Sequence, residues 1–353
     1  MTDPHASTDA TLALWRSLPK VLLHEHLDGG LRPQTLLELC QVRGVPLPVS
    51  TADGVAQWLR ANAQSGSLER YVAAFAPTVA AMASAAACER VAYEAAQDAQ
   101  DDGCVLAEFR MAPLLLEPHG LPPEAAMEAM VEGLARSSLP CALIVCAMRT
   151  DSVQAVERAA RIAARYAGHG VVGFDLAGAE RGYPATLHRA AIDMARSAGL
   201  GITLHAGEAD SGERVLEAIA LGATRIGHGV HIALGEGAVE RMAQVAALSG
   251  QHQAVHFEVC PTSNVHTGVC ANLTEHPLPA MWAAGLQLSV HTDNRLMSGV
   301  SHSQELANVQ HMMGLTTQQL LTSSAQAAQA SFMAPEVRAQ ALARIQAAQR
   351  NGS

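Results

Sequence analysis

The chain has 353 residues, of which 49% are hydrophobic and 16% charged, and its formal net charge is -10. This length suits one large α/β domain or two medium ones. The negative balance argues against nucleic acid or an anionic membrane as partner, and favours a small neutral or cationic substrate.

The cysteines indicate the cellular compartment, and the single lysine limits the possible catalytic mechanisms. The seven cysteines lie scattered without CxxC spacing, which predicts reduced, buried thiols in a cytoplasmic protein. No signal peptide or long apolar run is apparent, so we expect no membrane span. Lysine occurs only at Lys20, which leaves no candidate for a Schiff-base lysine or a lysine bridging two metals. Any metal site is therefore expected to hold one ion.

The first predicted strand ends in two histidines. Residues 1–10 are polar and are predicted to be a flexible N-terminus, ahead of a single domain over residues 11–350. Residues 21–30 read VLLHEHLDGG, an apolar run in which extended backbone would place His24 and His26 on one face. Two imidazoles supply half of a tetrahedral metal site, so further ligands are expected at the ends of other strands.

A helical insertion is predicted directly after this strand, over residues 31–102. Apolar residues recur there at spacings of three and four, as at Tyr71, Phe75 and Val79. The insertion is longer than a crossover between strands requires. Its aromatic residues serve helix packing or, alternatively, line a lid over a pocket, with residues 54–81 as the lid candidate.

From residue 104 onward, short apolar runs alternate with Ala-rich helical stretches. The runs predict strands within residues 104–113, 141–149, 171–178, 201–208, 223–230, 256–264 and 286–294. With the first strand they make about eight βα units, which predicts an α/β fold, a closed (β/α)₈ TIM-type barrel with extra C-terminal helices. An open doubly wound sheet is the alternative, but HLDGGL is not the GxGxxG turn expected there.

The ends of the predicted strands are unusually polar. The residues concerned are His24, His26, Asp175, His205, Glu208, His228, His291, Asp293 and Asn294. In a barrel these ends meet at one rim, where three imidazoles and one carboxylate would suit zinc and leave a position for water. A zinc-bound water of pKa about 7, with a carboxyl and a spare imidazole nearby, suits hydrolysis or deamination.

Each of these residues also has a purely structural interpretation. His228 can be a packed loop histidine, Glu208 a first-turn acid of the next helix, and Asp293 and Asn294 helix caps. The functional interpretation is favoured because four separate strands place a ligand or proton carrier at the same end. Other histidines are predicted to be surface or packing residues: His119, His169, His188, His231, His252, His256, His266, His276 and His302.

The motifs HEHLDGG, DLAG, TLHAGE, RIGHG, EVCPTSN and HTDN, in that order, resemble those of the adenosine deaminase family of metal-dependent hydrolases. The resemblance runs from about residue 18 to the C-terminal helices. It implies one zinc ion per chain, held by His24, His26, His205 and Asp293. It also implies hydrolysis of adenosine and 2′-deoxyadenosine to inosine and 2′-deoxyinosine with release of ammonia, a reaction of purine salvage.

The same resemblance implies roles for individual residues. Glu208 would protonate N1 of the purine. His228, with Asp293, would orient the attacking water and take up its proton. The backbone of Gly178 would contact N3 of the base.

Further positions bear on the substrate. In the family, HLDG goes with nucleosides, because Asp28, together with His26, holds the ribose side and would repel a 5′-phosphate. Asn294 stands where many members have a second Asp, and its amide can donate to N7 of the base at any pH. The chain also departs from the family pattern at Ala179 and His291.

Two alternative functions stay open at this point. One is deamination of a 5′-modified 6-aminopurine nucleoside, and the other is non-catalytic nucleoside binding. In each case the expected partner is a small purine nucleoside, with no nucleic acid and no membrane, and the sequence makes no prediction about oligomeric state.

Overall fold

Eight short apolar segments form parallel strands in the computed structural model, which describes residues 4–249 and 254–351. The strands are β1 (Lys20–Leu22), β2 (Cys104–Met111), β3 (Cys141–Met148), β4 (Val171–Ala177), β5 (Gly201–Ala206), β6 (Arg225–His228), β7 (His256–Val259) and β8 (Gln287–Val290). They pair in chain order, and nearly every strand residue is buried, as expected of a parallel sheet covered by helices. All eight predicted strands are thereby confirmed.

Helices connect and surround these strands. The α-helices in the described ranges are α1 (Pro4–Ser17), α2 (Pro33–Arg43), α3 (Ala52–Ala63), α4 (Leu68–Ala73), α5 (Ala76–Met82), α6 (Ala85–Asp101), α7 (Pro123–Ala135), α8 (Val153–Arg165), α9 (Arg189–Ser197), α10 (Glu213–Ala220), α11 (Ala238–Ser249), α12 (Pro261–His266), α13 (Leu278–Ala283), α14 (Arg295–Ser298), α15 (His302–Met313), α16 (Thr317–Ala330) and α17 (Pro335–Asn351). Residues 4–10 thus belong to α1, and residues 1–3 of the expected flexible N-terminus lie outside the described residues.

The barrel closes just beyond the ends of β1 and β8. Glu25 and Asp293 form a parallel bridge there. The amide of His26 donates to the Asp293 carbonyl at 2.8 Å, and the Asp293 amide donates to the His24 carbonyl at 3.0 Å. The fold is therefore the predicted (β/α)₈ barrel of the TIM type.

The first strand is shorter than the apolar run suggested, because β1 ends at Leu22. The chain nevertheless stays extended, and the amide of Arg110 on β2 donates to the carbonyl of Glu25 at 2.9 Å. Side chains therefore keep alternating: His24 and His26 point to one site, while Glu25 is ion-paired with Arg295 on the other side.

The helical insertion after β1 and the C-terminal helices after β8 are both present. Helices α2 to α5 precede α6, which packs on α7 and β2 and so occupies the place of the first barrel helix. Among the described residues no single helix is long and apolar enough to cross a membrane, although the bent pair Leu68–Met82 with Ala85–Asp101 passes that test by length and composition. All seven cysteines are free.

Candidate active site and metal centre

Four side chains predicted to bind a metal converge at the carboxyl ends of the strands. Their ligand atoms all lie within 4.8 Å of one another, and the residues are His24, His26, His205 and Asp293. His26 Nε2 lies 3.3 Å from His205 Nε2 and 3.4 Å from Asp293 Oδ1. Donor atoms that lie about 2.0–2.1 Å from one zinc ion and roughly 110° apart are about 3.3–3.4 Å from each other. The spacing and the donor set therefore fit a single zinc ion.

The outer atoms of these ligands are held by buried carboxylates and a hydroxyl. His24 Nδ1 lies 2.8 Å from Glu258 Oε2, and His205 Nδ1 lies 3.0 Å from Asp175 Oδ2. Ser263 donates to Asp293 Oδ2 at 2.6 Å. These contacts turn Nε2 of His24, Nε2 of His205 and one Asp293 oxygen toward a common point. His24 Nε2 is buried without a hydrogen-bond partner in the described ranges, as expected of an atom reserved for a metal.

A buried guanidinium ties the two outer carboxylates together. Arg110 on β2 is fully buried and lies 2.8 Å from Asp175 and 2.6 Å from Glu258. Arg225 on β6 adds a second contact to Glu258 at 2.5 Å and also pairs with Glu108. Burial would raise the pKa of Glu258, but the two guanidinium groups hold that pKa well below its usual range. Glu258 therefore remains an anion and a permanent acceptor for His24.

Glu208 lies beside the metal cluster, in an environment that favours the neutral form of its carboxyl. Its side chain is buried, and Oε2 lies 3.7 Å from His228 Nε2. Burial, followed by the negative charges of Asp293 and Glu180, raises the pKa of Glu208 well above its ordinary value. Helix α10 begins at Glu213, so the interpretation of Glu208 as a first-turn acid is wrong.

The loop that carries Glu208 is anchored by one buried carboxylate, Glu180. It accepts hydrogen bonds from the backbone amides of Gly207, Glu208, Ala209 and Asp210 at 2.6–3.0 Å. Four amide donors on one carboxylate leave this loop little freedom. Glu180 therefore acts as a positioning residue for Glu208.

His228 and Asp293 adopt a backbone conformation that residues other than glycine rarely adopt. Both have φ of 60°, and they are the non-glycine residues with positive φ within residues 4–249 and 254–351. Such strain persists where surrounding contacts force it, and it clusters at functional sites. The side chains of both residues reach the cluster from these left-handed positions, which favours a functional role for them.

A cavity of about 470 Å³ opens above the cluster and contains every predicted substrate-binding residue. Asp28 and Asn294 are buried, and each has an Oδ1 without a hydrogen-bond partner in the described part of the chain. Burial raises the pKa of Asp28 to about 7. Gly178 lines the cavity with φ of 92°, a conformation that favours glycine. Asn294 precedes α14 without making a side-chain cap bond, so the cap interpretation does not hold for it.

Part of the apolar lining of the cavity comes from the helical insertion. Helices α4 and α5 contribute an apolar face to the cavity, with Leu68, Tyr71, Phe75 and Val79 among its residues. His119, predicted to be a surface or packing residue, lies at the edge of the same cavity.

The two further departures from the family pattern lie elsewhere. Ala179 and His291 are not among the residues that line this cavity. His291 is fully buried, accepts from the Leu23 amide at 3.2 Å and contacts Ser289 at 2.6 Å.

Sequence reasoning missed the supporting residues of the site, namely Arg110, Glu180, Glu258, Ser263 and Asn264. One signal was available. Charged residues inside apolar runs, such as the arginine in LAEFRMAP and the glutamate in HFEV, are rarely buried unless they are paired. Their partners lie on distant strands and become visible only in the structure.

Glu305 on α15 holds the first turn of α12, the helix that follows β7. Its burial leads to a prediction for how the stability of the fold depends on pH. Its carboxyl accepts from the amide and hydroxyl of Thr262 at 2.6 and 2.5 Å, and burial raises its pKa from 4.5 to about 7. Because the folded pKa exceeds the unfolded one, protonated Glu305 adds stability at low pH that is lost as pH rises toward 7. We expect wild type to lose about 2–3 kcal/mol relative to Glu305→Gln between about pH 5 and pH 8.

Urea unfolding of both proteins at the two pH values measures this difference. Comparing the variant with wild type cancels the contributions of all other titrating groups. Parallel changes in both proteins would contradict the assignment of Glu305.

Comparison with known proteins agrees with the geometry. A family profile described as adenosine deaminase matches residues 19–348. An adenosine deaminase of Mycobacterium marinum is 41% identical over 319 residues, covering 86% of this chain and 87% of that protein.

Solved structures show the same fold at lower identity. The adenine deaminase of Arthrobacter aurescens has a TM-score of 0.85 at 24% identity, covering 95% of this chain and 100% of its own. An amidohydrolase of Burkholderia ambifaria, solved with bound zinc, has a TM-score of 0.84 at 23% identity, covering 96% of this chain and 93% of its own. With the curated relative and the matched profile, the sequence places this chain in the adenosine deaminase family.

Proposed function

We propose that this protein is a zinc-dependent deaminase that hydrolyses adenosine and 2′-deoxyadenosine to inosine and 2′-deoxyinosine in purine salvage. The observation that carries the proposal is the juxtaposition, in one cavity, of a three-histidine, one-aspartate cluster with a buried Glu208 whose surroundings raise its pKa. The curated relative named adenosine deaminase supports the choice of substrate.

The residues divide the work of the reaction. His24, His26, His205 and Asp293 would hold one zinc ion per chain. The chemistry that zinc supplies when bound is a water of pKa about 7, available as a nucleophile at neutral pH. Water contributes its oxygen to C6 as the C6–N bond breaks. Of its two protons, one ends on the departing ammonia and the other restores the Glu208 carboxyl, which has given its own proton to N1.

Glu208 would donate the proton that makes C6 susceptible to attack by water. A neutral carboxyl can donate to N1, and this donation prevents negative charge from building up on the ring. Asp293 and His228 would orient the water and accept its proton. The ring of His228 lies against Glu208 and the metal ligand His24. The backbone of Gly178 would contact N3, and the Asn294 amide would donate to N7.

Asp28 and His26 line the cavity, and we assign the ribose side to them. The unpartnered Asp28 oxygen would accept from a ribose hydroxyl, and a 5′-phosphate would bring a second acidic group against it. These features favour nucleosides over nucleotides. We assign α4 and α5 to a lid, because their apolar face would cover the purine and exclude water from the site.

Removal and return of zinc test this proposal. Protein dialysed against a strong chelator is expected to lose adenosine deamination, and one equivalent of zinc per chain is expected to restore it. Zinc should also raise the melting temperature, because it binds the folded state. Mock-dialysed protein is the control. Undiminished turnover by protein shown to be metal-free would overturn the proposal.

A further inference from the structure

A chain of buried hydrogen bonds runs from the backbone of α13 to the ring of His228. We propose that Asn264 and His276 are positioning residues that fix the proton of His228 on Nε2. His228 would then face the reacting groups as a hydrogen-bond donor and not as a base. The identity of those reacting groups rests on the proposed function, whereas the position of the proton does not.

This series of hydrogen bonds starts from a backbone N–H group, which can only donate. The backbone amide of Leu278 donates to Nδ1 of His276 at 3.0 Å. A backbone N–H cannot accept, so this nitrogen of His276 carries no proton. His276 is buried, and burial lowers its pKa to about 3, so its ring is neutral. Its single proton therefore lies on Nε2.

The side-chain amide of Asn264 relays this donor-to-acceptor direction from His276 to His228. His276 Nε2 lies 3.2 Å from Asn264 Oδ1, and a protonated nitrogen needs an acceptor there. The carbonyl oxygen of Asn264 must then face His276, which leaves the amino group facing Nδ1 of His228 at 3.0 Å. An amino group only donates, so Nδ1 of His228 accepts and its proton resides on Nε2.

The alternative arrangement is disfavoured at the contact between Asn264 and His276. A rotated Asn264 amide would set its amino group against the protonated Nε2 of His276, and two buried donors would lose their acceptors. Asn264 is fully buried on α12, and the backbone of His228 is fixed at φ of 60° between two glycines. The three side chains therefore have one mutually satisfied arrangement.

This arrangement narrows the role that the family resemblance implied for His228. A ring that presents Nε2–H can donate to the oxygen that attacks C6 and stabilise the charge developing on it. It offers no lone pair toward the site for the proton of the water. That proton would pass to Asp293, the other residue whose left-handed backbone aims it at the cluster.

Nitrogen-15 NMR of zinc-loaded protein labelled at histidine tests the proposal directly. The His228 signals are identified by their loss in His228→Gln. We expect Nε2 to show the chemical shift and attached proton of a protonated nitrogen, and Nδ1 the shift of an unprotonated one. A proton on Nδ1 would overturn the inference.

Asn264→Asp reverses the polarity of the chain, because a carboxylate facing His228 can only accept. The proton is expected to move to Nδ1, and kcat to fall at least about tenfold, with KM nearly unchanged. Asn62→Asp makes the same chemical change at an exposed position of α3 and should alter neither readout. Retention of the Nε2 proton in Asn264→Asp would contradict the proposed control by Asn264.

The two proposals fail separately. A wild-type protein with its proton on Nε2 that deaminates no purine would refute the proposed function and leave the inference standing. A protein that deaminates adenosine with its proton on Nδ1 would refute the inference alone.

Discussion

Glu208→Gln is expected to lower kcat for adenosine by about 10²–10⁴-fold, the range by which a positioned general acid accelerates a reaction. Glutamine fills nearly the same space as the neutral carboxyl and can still donate a hydrogen bond to N1. It cannot transfer the proton, so binding should survive while the chemical step fails. Glu208 is not among the four clustered metal ligands, so the variant should also retain one equivalent of zinc.

Steady-state kinetics, metal analysis and calorimetric titration with a nucleoside measure these three quantities. Glu213→Gln is the matched control, because Glu213 is an exposed acid five residues further along the chain, at the start of α10. Turnover near the wild-type rate in Glu208→Gln would refute the assignment of Glu208 as proton donor.

Arg110→Gln is expected to weaken both the fold and the metal site. Arg110 is fully buried between Asp175 and Glu258, and its loss leaves these carboxylates without their shared counter-ion. Breaking a buried ion pair from one side typically costs about 3–5 kcal/mol of stability. Because the same carboxylates orient His205 and His24, zinc affinity should also fall, by about 10–100-fold.

Urea unfolding and competitive zinc titration measure the two effects. Arg136→Gln serves as the control, since Arg136 forms an exposed pair with Glu89 whose loss should cost little. Arg110→Lys keeps a charge but cannot bridge two carboxylates in the same way, so an intermediate result is expected. An Arg110→Gln protein with wild-type stability and zinc affinity would contradict the role given to this network.

Much of the barrel could be predicted because its signals are local. Each strand is a short apolar run, and the chain order of the runs sets the order of the sheet. The barrel rule then places the carboxyl ends at one rim, which brings His24, His205 and Asp293 together from three distant segments. The ligands could therefore be proposed before any distance was known.

The residues that hold the site in place could not be predicted from the sequence, for a physical reason. Arg110 and Glu258 meet across 148 positions of sequence, and only strand register and burial decide that they do. Glu180 lies outside the strands, and its four amide partners are backbone atoms that leave no mark in residue types. Likewise, the apolar run does not show where β1 ends: beyond Leu22 the chain pairs through the isolated bridges of Glu25 with Asp293 and of His26 with Arg110.

The extent of the insertion shows a related effect. The helical periodicity over residues 31–102 does not distinguish the extra helices from α6, which packs on the barrel. Of the described residues of this insertion, those that line the cavity belong to α4, to α5 and to Phe75 between them. A lid role for this segment stays a prediction.

The central claim is that one chain combines zinc with Glu208 to deaminate a purine nucleoside. Its most direct test is ammonia release by zinc-loaded protein supplied with adenosine, 2′-deoxyadenosine, adenine, AMP or a 5′-modified adenosine. We predict rapid, stoichiometric release of ammonia and formation of inosine or 2′-deoxyinosine from the two nucleosides, with little release from adenine or AMP. No release from any of these substrates would contradict the claim, and release from AMP in preference to adenosine would contradict the part assigned to Asp28.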